Sequence, residues 1–203
     1  GISESPKATR VSLVAGEVLS LHSTASGIAT LAFSPPDLAA RVLQGELRRF
    51  TDQTLTDAAA IRGRVEQARA DGFSEADQTH EDDVHGIAAP LFDSGGLACG
   101  AVAVATPTHR ITDESRAGIA RRVVAAAVEI TGKIGGRAPE SFAAIAAASW
   151  PQILVASAAR TAGASPAAAT AIKRMRSSAA SSVSSTLPAP LTTAGTPASR
   201  SVS

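Results

Sequence analysis

One cysteine, Cys99, serves the whole of a 203-residue chain. That rules out a disulfide within the chain and any zinc site built on several cysteines, and it makes a reducing compartment, the cytoplasm, the default expectation. No G-x-S-x-G elbow is present, so a hydrolase of that type is not supported. No glycine-rich loop opens a helix; Gly95-Gly96 precedes a strand, where a phosphate cradle would need a helix N-terminus. The chain starts at Gly1, and no basic segment leads into an apolar one, so no secretory signal is expected. A long stretch free of charge, residues 141–159, is mostly Ala and Ser with Pro151 near its middle. Alanine contributes little to insertion, so no membrane span is expected.

Charge of either sign is scarce on average but unevenly placed. The chain carries +1 overall. Residues 1–136 hold 13 Lys and Arg against 17 Asp and Glu, a net of −4; residues 137–203 hold six basic residues against Glu140, a net of +5. Two segments of different chemistry therefore meet near Gly135-Gly136. The first, residues 1–136, has the apolar periodicity of a domain. The second, residues 137–203, is rich in Ala, Ser and Pro; it allows short helices around Phe142, Ile145 and Trp150 and around Ile172, then disorder from about residue 177.

What is present reads as β-α-α-α-β-β-α. Residues 10–21 are rich in Val and Leu and predict a strand, broken at Ala15-Gly16. Ser23 or Thr24 caps a helix carrying Ile28, Leu31 and Ala32 on one side. Pro35-Pro36 ends it and opens another, with Leu38, Val42 and Leu43 inward. Thr56 caps a third, whose stripe is Ile61, Val65 and Ala68, ended by Asp71-Gly72. Residues 74–85 are polar and acidic and predict a loop. Residues 86–93 and 97–106 predict a β-hairpin about Ser94-Gly95-Gly96. Thr112 caps a last helix with Ile119, Val123, Ala126, Ala127 and Ile130 as its stripe. This order fits an α+β domain with an antiparallel sheet.

Three stretches bear on chemistry. In His22-Ser23-Thr24 a base adjoins a hydroxyl, but adjacent residues on an extended segment point to opposite sides, which favours capping over catalysis. In 80–85, HEDDVH, the histidines stand five apart, about 500° round a helix, so they diverge by ~140° and cannot form the H-E-x-x-H metal face. A loose metal site from His80, Glu81, Asp82, Asp83 and His85 stays open beside the reading of a solvated acidic loop. On the last strand Ala101, Ala103 and Ala105 share a face. Such a face admits either a closely packed helix, favoured on pattern alone, or a ligand pocket. The run Lys173-Arg174-Met175-Arg176 has no aromatic nearby and reads as a solvated tail.

The segments LHSTASGIATLAF (21–33), FTDQTLTD (50–57), ARADGF (68–73), GIAAPLFDSGG (86–96) and AVAVATPTHRIT (101–112) stand in an order and spacing that resemble the effector-binding domain of IclR-type transcriptional regulators. The resemblance covers roughly residues 10–136. It implies a GAF-like antiparallel sheet flanked by helices, a bound small-molecule effector, a homo-dimer or tetramer, and no catalysis, metal or cofactor. It implies DNA binding only through a winged helix-turn-helix expected to lie, with the linker and the first part of the effector domain, outside this chain. Carried over by position, it assigns ligand contacts to Thr24, Ala25, Ser26, His80, Asp82, Pro90, Ala101, Ala103 and Ala105. Position 90, often cysteine in relatives, is Pro90, and a usual glycine is Asp83. Ala103 and Ala105 stand where relatives carry pocket serines. Loss of those hydroxyls disfavours small oxoacids such as glyoxylate or pyruvate and favours a less polar, aromatic or bulkier effector. It also turns the alanine face towards the pocket reading. Two rivals remain: an enzyme or metal-binding domain using His22 or the His80–His85 loop, and a dimerisation module alone.

Overall fold

The computed structural model describes residues 1–6, 11 and 14–148. Its centre is the hairpin of β2 (Val84–Phe92) and β3 (Ala98–Pro107), antiparallel in the register Ala88 to Ala103 and Gly86 to Ala105. Asp93 builds the turn: its Oδ1 accepts from the N–H of Gly95 at 2.8 Å and of Leu97 at 3.0 Å, and Gly96 takes the left-handed φ of 81°. A third strand, β1 (Ser74–Asp77), pairs antiparallel with the outer side of β2, giving the order β1-β2-β3. The sequence reading had only a loop here.

Alternation sorts the sheet into two faces. One carries small residues: Ser74, Ala76, Gly86, Ala88, Ala101, Ala103 and Ala105. Helix α1 (Ala25–Ala32) lies on it, packing Ala25 and Ala29 against Ala76, Ala88 and Ala101. The approach is close; a Cβ on Gly86 would stand 3.2 Å from that of Ala25. The other flank of α1, Ile28, Leu31 and Ala32, meets Ile61, Val65 and Ala68 of α3 (Ala58–Asp71). Leu38 and Val42 of α2 (Pro36–Gln44) add partial cover.

The opposite face holds Ile87, Ala89 and Val102 under α4 (Asp113–Lys133), reached through the 3-10 turn Thr108–Arg110. Residues Ala120, Val123, Val124, Ala127 and Thr131 of α4 are buried, one position off the expected stripe at Ile119, Ala126 and Ile130. Phe142 of α5 (Glu140–Ala147) completes this core, edge-on to Phe33 and Phe92 with centroids 5.7 and 5.0 Å away. The packed body thus runs past Gly136. Trp150, Ile172 and the basic run at 173–176 lie outside the described residues.

Caps explain most boundaries. Thr24 Oγ1 accepts from the Gly27 N–H, and Thr112 forms a reciprocal box with Ser115. At α3 the cap is Asp57, which accepts from Ala60 N–H at 2.7 Å, and not Thr56; the carboxylate is one residue closer to the first turn. One further expectation fails. Among the described residues of 10–21, Val14 to Leu21 form no strand; Ala15-Gly16 turn, Val18 is 95% exposed, and no neighbouring strand completes a ladder there. The element order is accordingly α-α-α-β-β-β-α-α. The α+β class with an antiparallel sheet holds. No described helix is long and apolar enough to cross a membrane.

Asp83 occupies a left-handed conformation, φ 61°, just before β2. That is the position where the resemblance expects glycine. Replacing Asp83 by Gly should stabilise the domain by roughly 0.5–1 kcal/mol, since the αL strain of a side chain disappears. A urea midpoint that falls in the glycine variant would contradict this.

Candidate functional site

The small-residue face is longer than the helix that covers it. Ala101 sits beneath α1, but the strand runs on past the helix N-terminus, so Ala103 and Ala105 are left uncovered there. Close helix packing is therefore realised at Ala101, and a cavity opens over Ala103 and Ala105 further along the same strand. The space left is a cavity of about 160 Å³. Its floor is the cross-strand row Ala76, Gly86, Ala105 with Ala103 and Val104 beside it; its wall is Thr24, Ala25 and Ser26 at the start of α1; its lip is His80, Glu81 and Val84. Val11, Glu17 and Leu19 close the remaining side.

Six of the nine expected positions line this cavity: Thr24, Ala25, Ser26, His80, Ala103 and Ala105. Three lie elsewhere. Asp82 is exposed at the tip of the turn, and its neighbour Glu81 takes the lining place. Pro90 is buried opposite Ala101 in the hairpin register, and Ala101 itself is spent on α1. Gly86, four residues before Pro90, is the lining residue of β2 after Val84. Ala76 and Gly86 carry no sequence signal of their own; the pairing of β1 brings them into register with Ala105.

Polar groups around the cavity are few and mostly committed. Thr24 Oγ1 donates to Ser20 O at 2.8 Å and accepts from Gly27 N at 3.1 Å, so its hydroxyl serves the cap. Ser26 Oγ has only a 3.5 Å contact to Thr24 Oγ1, near the limit of a hydrogen bond, and is available to a ligand. His80 Nδ1 meets Ser23 Oγ at 2.9 Å, and its ring packs on Phe50 with centroids 4.5 Å apart. The loop that holds His80 is fastened from two directions. Thr79 Oγ1 donates to Ser23 O, Thr51 Oγ1 to Gln78 O and Thr54 Oγ1 to Thr79 O, at 2.6, 2.6 and 2.8 Å. Thr51 and Thr54 are what the stretch FTDQTLTD contributes.

His22 does not partner Ser23. Its Nε2–H donates to the Arg48 carbonyl at 3.0 Å, which leaves Nδ1 to accept from Ser20 Oγ at 2.7 Å. A ring with both nitrogens engaged and 7% of its surface exposed is a structural residue, with no base left to offer a substrate. The histidines of 80–85 also part company: His80 faces the cavity, while His85 is buried on the α4 side between Glu75 and Asp77. Among the described residues no three His, Cys, Asp or Glu side chains stand close enough to share a metal ion.

Beneath α4, Glu75 contacts Arg116 Nη1 at 3.3 Å. Burial by itself would raise its carboxyl; His85 and the Arg116 guanidinium more than offset that and bring it below the ordinary carboxylate range. His85 Nε2 stands 3.6 Å from Glu75, beyond good hydrogen-bond reach and with no other partner, so Arg116 is the principal counter-charge.

A second cleft of about 220 Å³ lies across the Ser23 wall, among His22, Gln53, Arg64 and Thr79. Several of its polar groups are engaged: Arg64 donates to Glu75 O, Thr79 to Ser23 O, and both His22 nitrogens have partners. A wider cleft of about 580 Å³ is bounded by Gly1–Ser5 and the end of β3. It shares Ala103 and Ala105 with the first cavity, which gathers six of the nine expected positions.

Residues 2–132 match the family described as Bacterial transcriptional regulator IclR C-terminal. The HTH-type transcriptional regulator BhcR of Paracoccus denitrificans is 37% identical over 112 residues, which are 55% of this chain and 40% of that protein. A crystal structure of a putative IclR transcriptional regulator from Silicibacter sp. superposes with a TM-score of 0.66 at 40% identity, covering 68% of this chain and 54% of that one. An IclR homolog from Microbacterium hydrocarbonoxydans, solved in complex with 4-hydroxybenzoate, superposes at 0.54 with 26% identity over 64% of this chain and 51% of its own. The chain thus spans about half the length of the relatives it matches, or somewhat less.

Proposed function

The chain belongs to the IclR family of bacterial transcriptional regulators through their C-terminal domain, and from that premise we propose that it senses a small molecule in the cavity at the N-terminus of α1. The relatives are regulators and not enzymes, in keeping with the structural role of His22. One observation carries the reading: three separate parts of the chain, the α1 start, the end of β3 and the His80 loop, converge on one cavity at positions assigned from sequence. A molecule seated there touches all three, so its binding is coupled to their relative placement; that coupling is what a regulator needs. Operator binding would fall to another part of the protein. The −4 charge of residues 1–136 repels a phosphate backbone. Assembly into a homo-dimer or tetramer is part of the same proposal.

The size of the space narrows the effector. A cavity of ~150 Å³ holds one benzene ring in an apolar protein interior, and this one measures about 160 Å³. Its floor of Ala76, Gly86, Ala103 and Ala105 offers no side-chain donor to a compact oxoacid. We assign it a single-ring, largely apolar effector; the 4-hydroxybenzoate bound by one relative is of that size. Calorimetry comparing monocyclic compounds with two- and three-carbon acids tests this. Tighter binding of glyoxylate or pyruvate would sink it. Ala103→Leu should abolish binding by filling the space; because Ala103 is exposed, the melting temperature should stay within a few degrees of the parent.

A further inference from the structure

We propose that Ser23 fixes the tautomer of His80 so that the cavity presents an imidazole N–H, and that the effector is therefore an uncharged ring compound carrying a hydrogen-bond acceptor. This rests on the sensing role assigned to the cavity above. Ser23 is 1% exposed, and its Oγ has one partner, His80 Nδ1, at 2.9 Å. A buried hydroxyl proton without an acceptor is costly, and among the described residues that nitrogen is the one partner of the Ser23 hydroxyl. Ser23 therefore donates to Nδ1. The neutral ring then carries its proton on Nε2, at the opposite edge. That atom is neither buried nor bonded to any described residue, while the ring lines the cavity. Phe50 packs on the ring and Thr79, the adjacent residue, is tied to Ser23 O, so the imidazole is held in place to donate.

Charge completes the specificity. The described lining residues include Glu17 and Glu81 and neither Lys nor Arg. A carboxylate ligand would enter the field of Glu17 and Glu81, which is of its own sign, with no Lys or Arg among the described lining residues to meet it. A ketone, aldehyde, lactone, amide or phenol oxygen accepts from Nε2–H at no such cost. Ser23 is thus a positioning residue; it acts on the ligand through His80.

The test pairs a spectroscopic readout with a matched ligand series on the full chain. Nitrogen chemical shifts of the His80 ring should show the Nε2–H tautomer in the parent protein. In Ser23→Ala the two tautomers should mix, and Ser23→Thr should restore the first. By calorimetry, acetophenone should bind roughly tenfold tighter than ethylbenzene, which has the shape without the acceptor. Benzoate should bind more weakly than acetophenone. Ser23→Ala should erase most of the acetophenone preference and spare ethylbenzene. An Nδ1–H tautomer in the parent, or one unchanged in Ser23→Ala, overturns the role of Ser23. Equal binding of acetophenone and ethylbenzene, or tighter binding of benzoate, overturns the ligand class. If none of the three shifts the amides of Ala103 and Ala105, the sensing role of the cavity fails and the ligand class with it, while the tautomer still decides for or against Ser23.

Discussion

Gly27→Ala is expected to cost at least about 3 kcal/mol, a large share of a domain's stability. Gly27 lies in the first turn of α1, where the chain has just come round from Leu21. A Cβ there would stand 2.3 Å from Leu21 O and 2.4 Å from its Cα. Both are main-chain atoms, so no rotamer change relieves the contact; the segment 20–24 must move. That segment carries the Thr24 cap and the Ser23–His80 contact, so the damage spreads from the helix start to the cavity lip. The proper control is another glycine. Gly63, in the interior of α3, meets nothing within 4 Å of an added Cβ and lies on an exposed face. Gly63→Ala should stabilise by about 0.5–1 kcal/mol through helix propensity. Urea unfolding followed by circular dichroism reads both. A Gly27→Ala protein within 0.5 kcal/mol of its parent would mean that Leu21 is not where the structure puts it.

Arg116→Ala should cost about 2 kcal/mol at neutral pH, less than breaking a fully buried ion pair because this one is partly exposed. The side chains of Arg116 and Glu75 are 18% and 17% exposed, and truncation leaves Glu75 partly buried beside a His85 that is too distant to replace the guanidinium. The effect should depend on pH in a definite sense. The Glu75 carboxyl is held below its usual range in the folded protein, so the pair's contribution is fully present above the unfolded carboxylate pKa and is lost as pH falls through the lower, folded one. Parent and variant should therefore converge in stability in acid and diverge as pH rises to neutrality. A gap that stays constant from acid to neutral pH would show that Arg116 acts through packing of its stem instead.

Much of this fold could be read from local chemistry. Thr24 and Thr112 announced their helices because an N-cap is a one-residue signal. The hairpin was legible because Asp93 to Gly96 can do little but turn between two apolar runs. Strand β1 was illegible for a reason that lies in the tertiary structure. Its Glu75 looks like a surface residue until Arg116, 41 positions later, meets it under α4. Its partner positions are Ser74 and Ala76, too small to register as a hydrophobic face. Residues 10–21 erred the other way: Val and Leu suit a strand, yet Val14 and Val18 are exposed and no ladder forms around them. At the cavity, Thr24, Ala25 and Ser26 stand at a helix start that the sequence marks, while Ala76 and Gly86 come into register only through β1. The partner of Ser23 could not be guessed from its neighbours, since His80 is 57 residues away.

The length of β1 has a consequence for the opening of the cavity. A strand continues only while its carbonyls find main-chain N–H groups on the neighbouring strand. At Gln78 and Thr79 the carbonyls are claimed instead by the hydroxyls of Thr51 and Thr54, and Gln78 itself turns away at φ 54°. The ladder is terminated chemically. Had it run two residues further, the chain would have stayed in the plane of the sheet beside the start of β2, and His80 would not have risen to the lip. Threonines from a distant loop thus act as a stop signal for a strand to which they do not belong. Replacing them with valine, which has their shape without the hydroxyl, would free those carbonyls and alter the boundary of the sheet more than the loop that carries them.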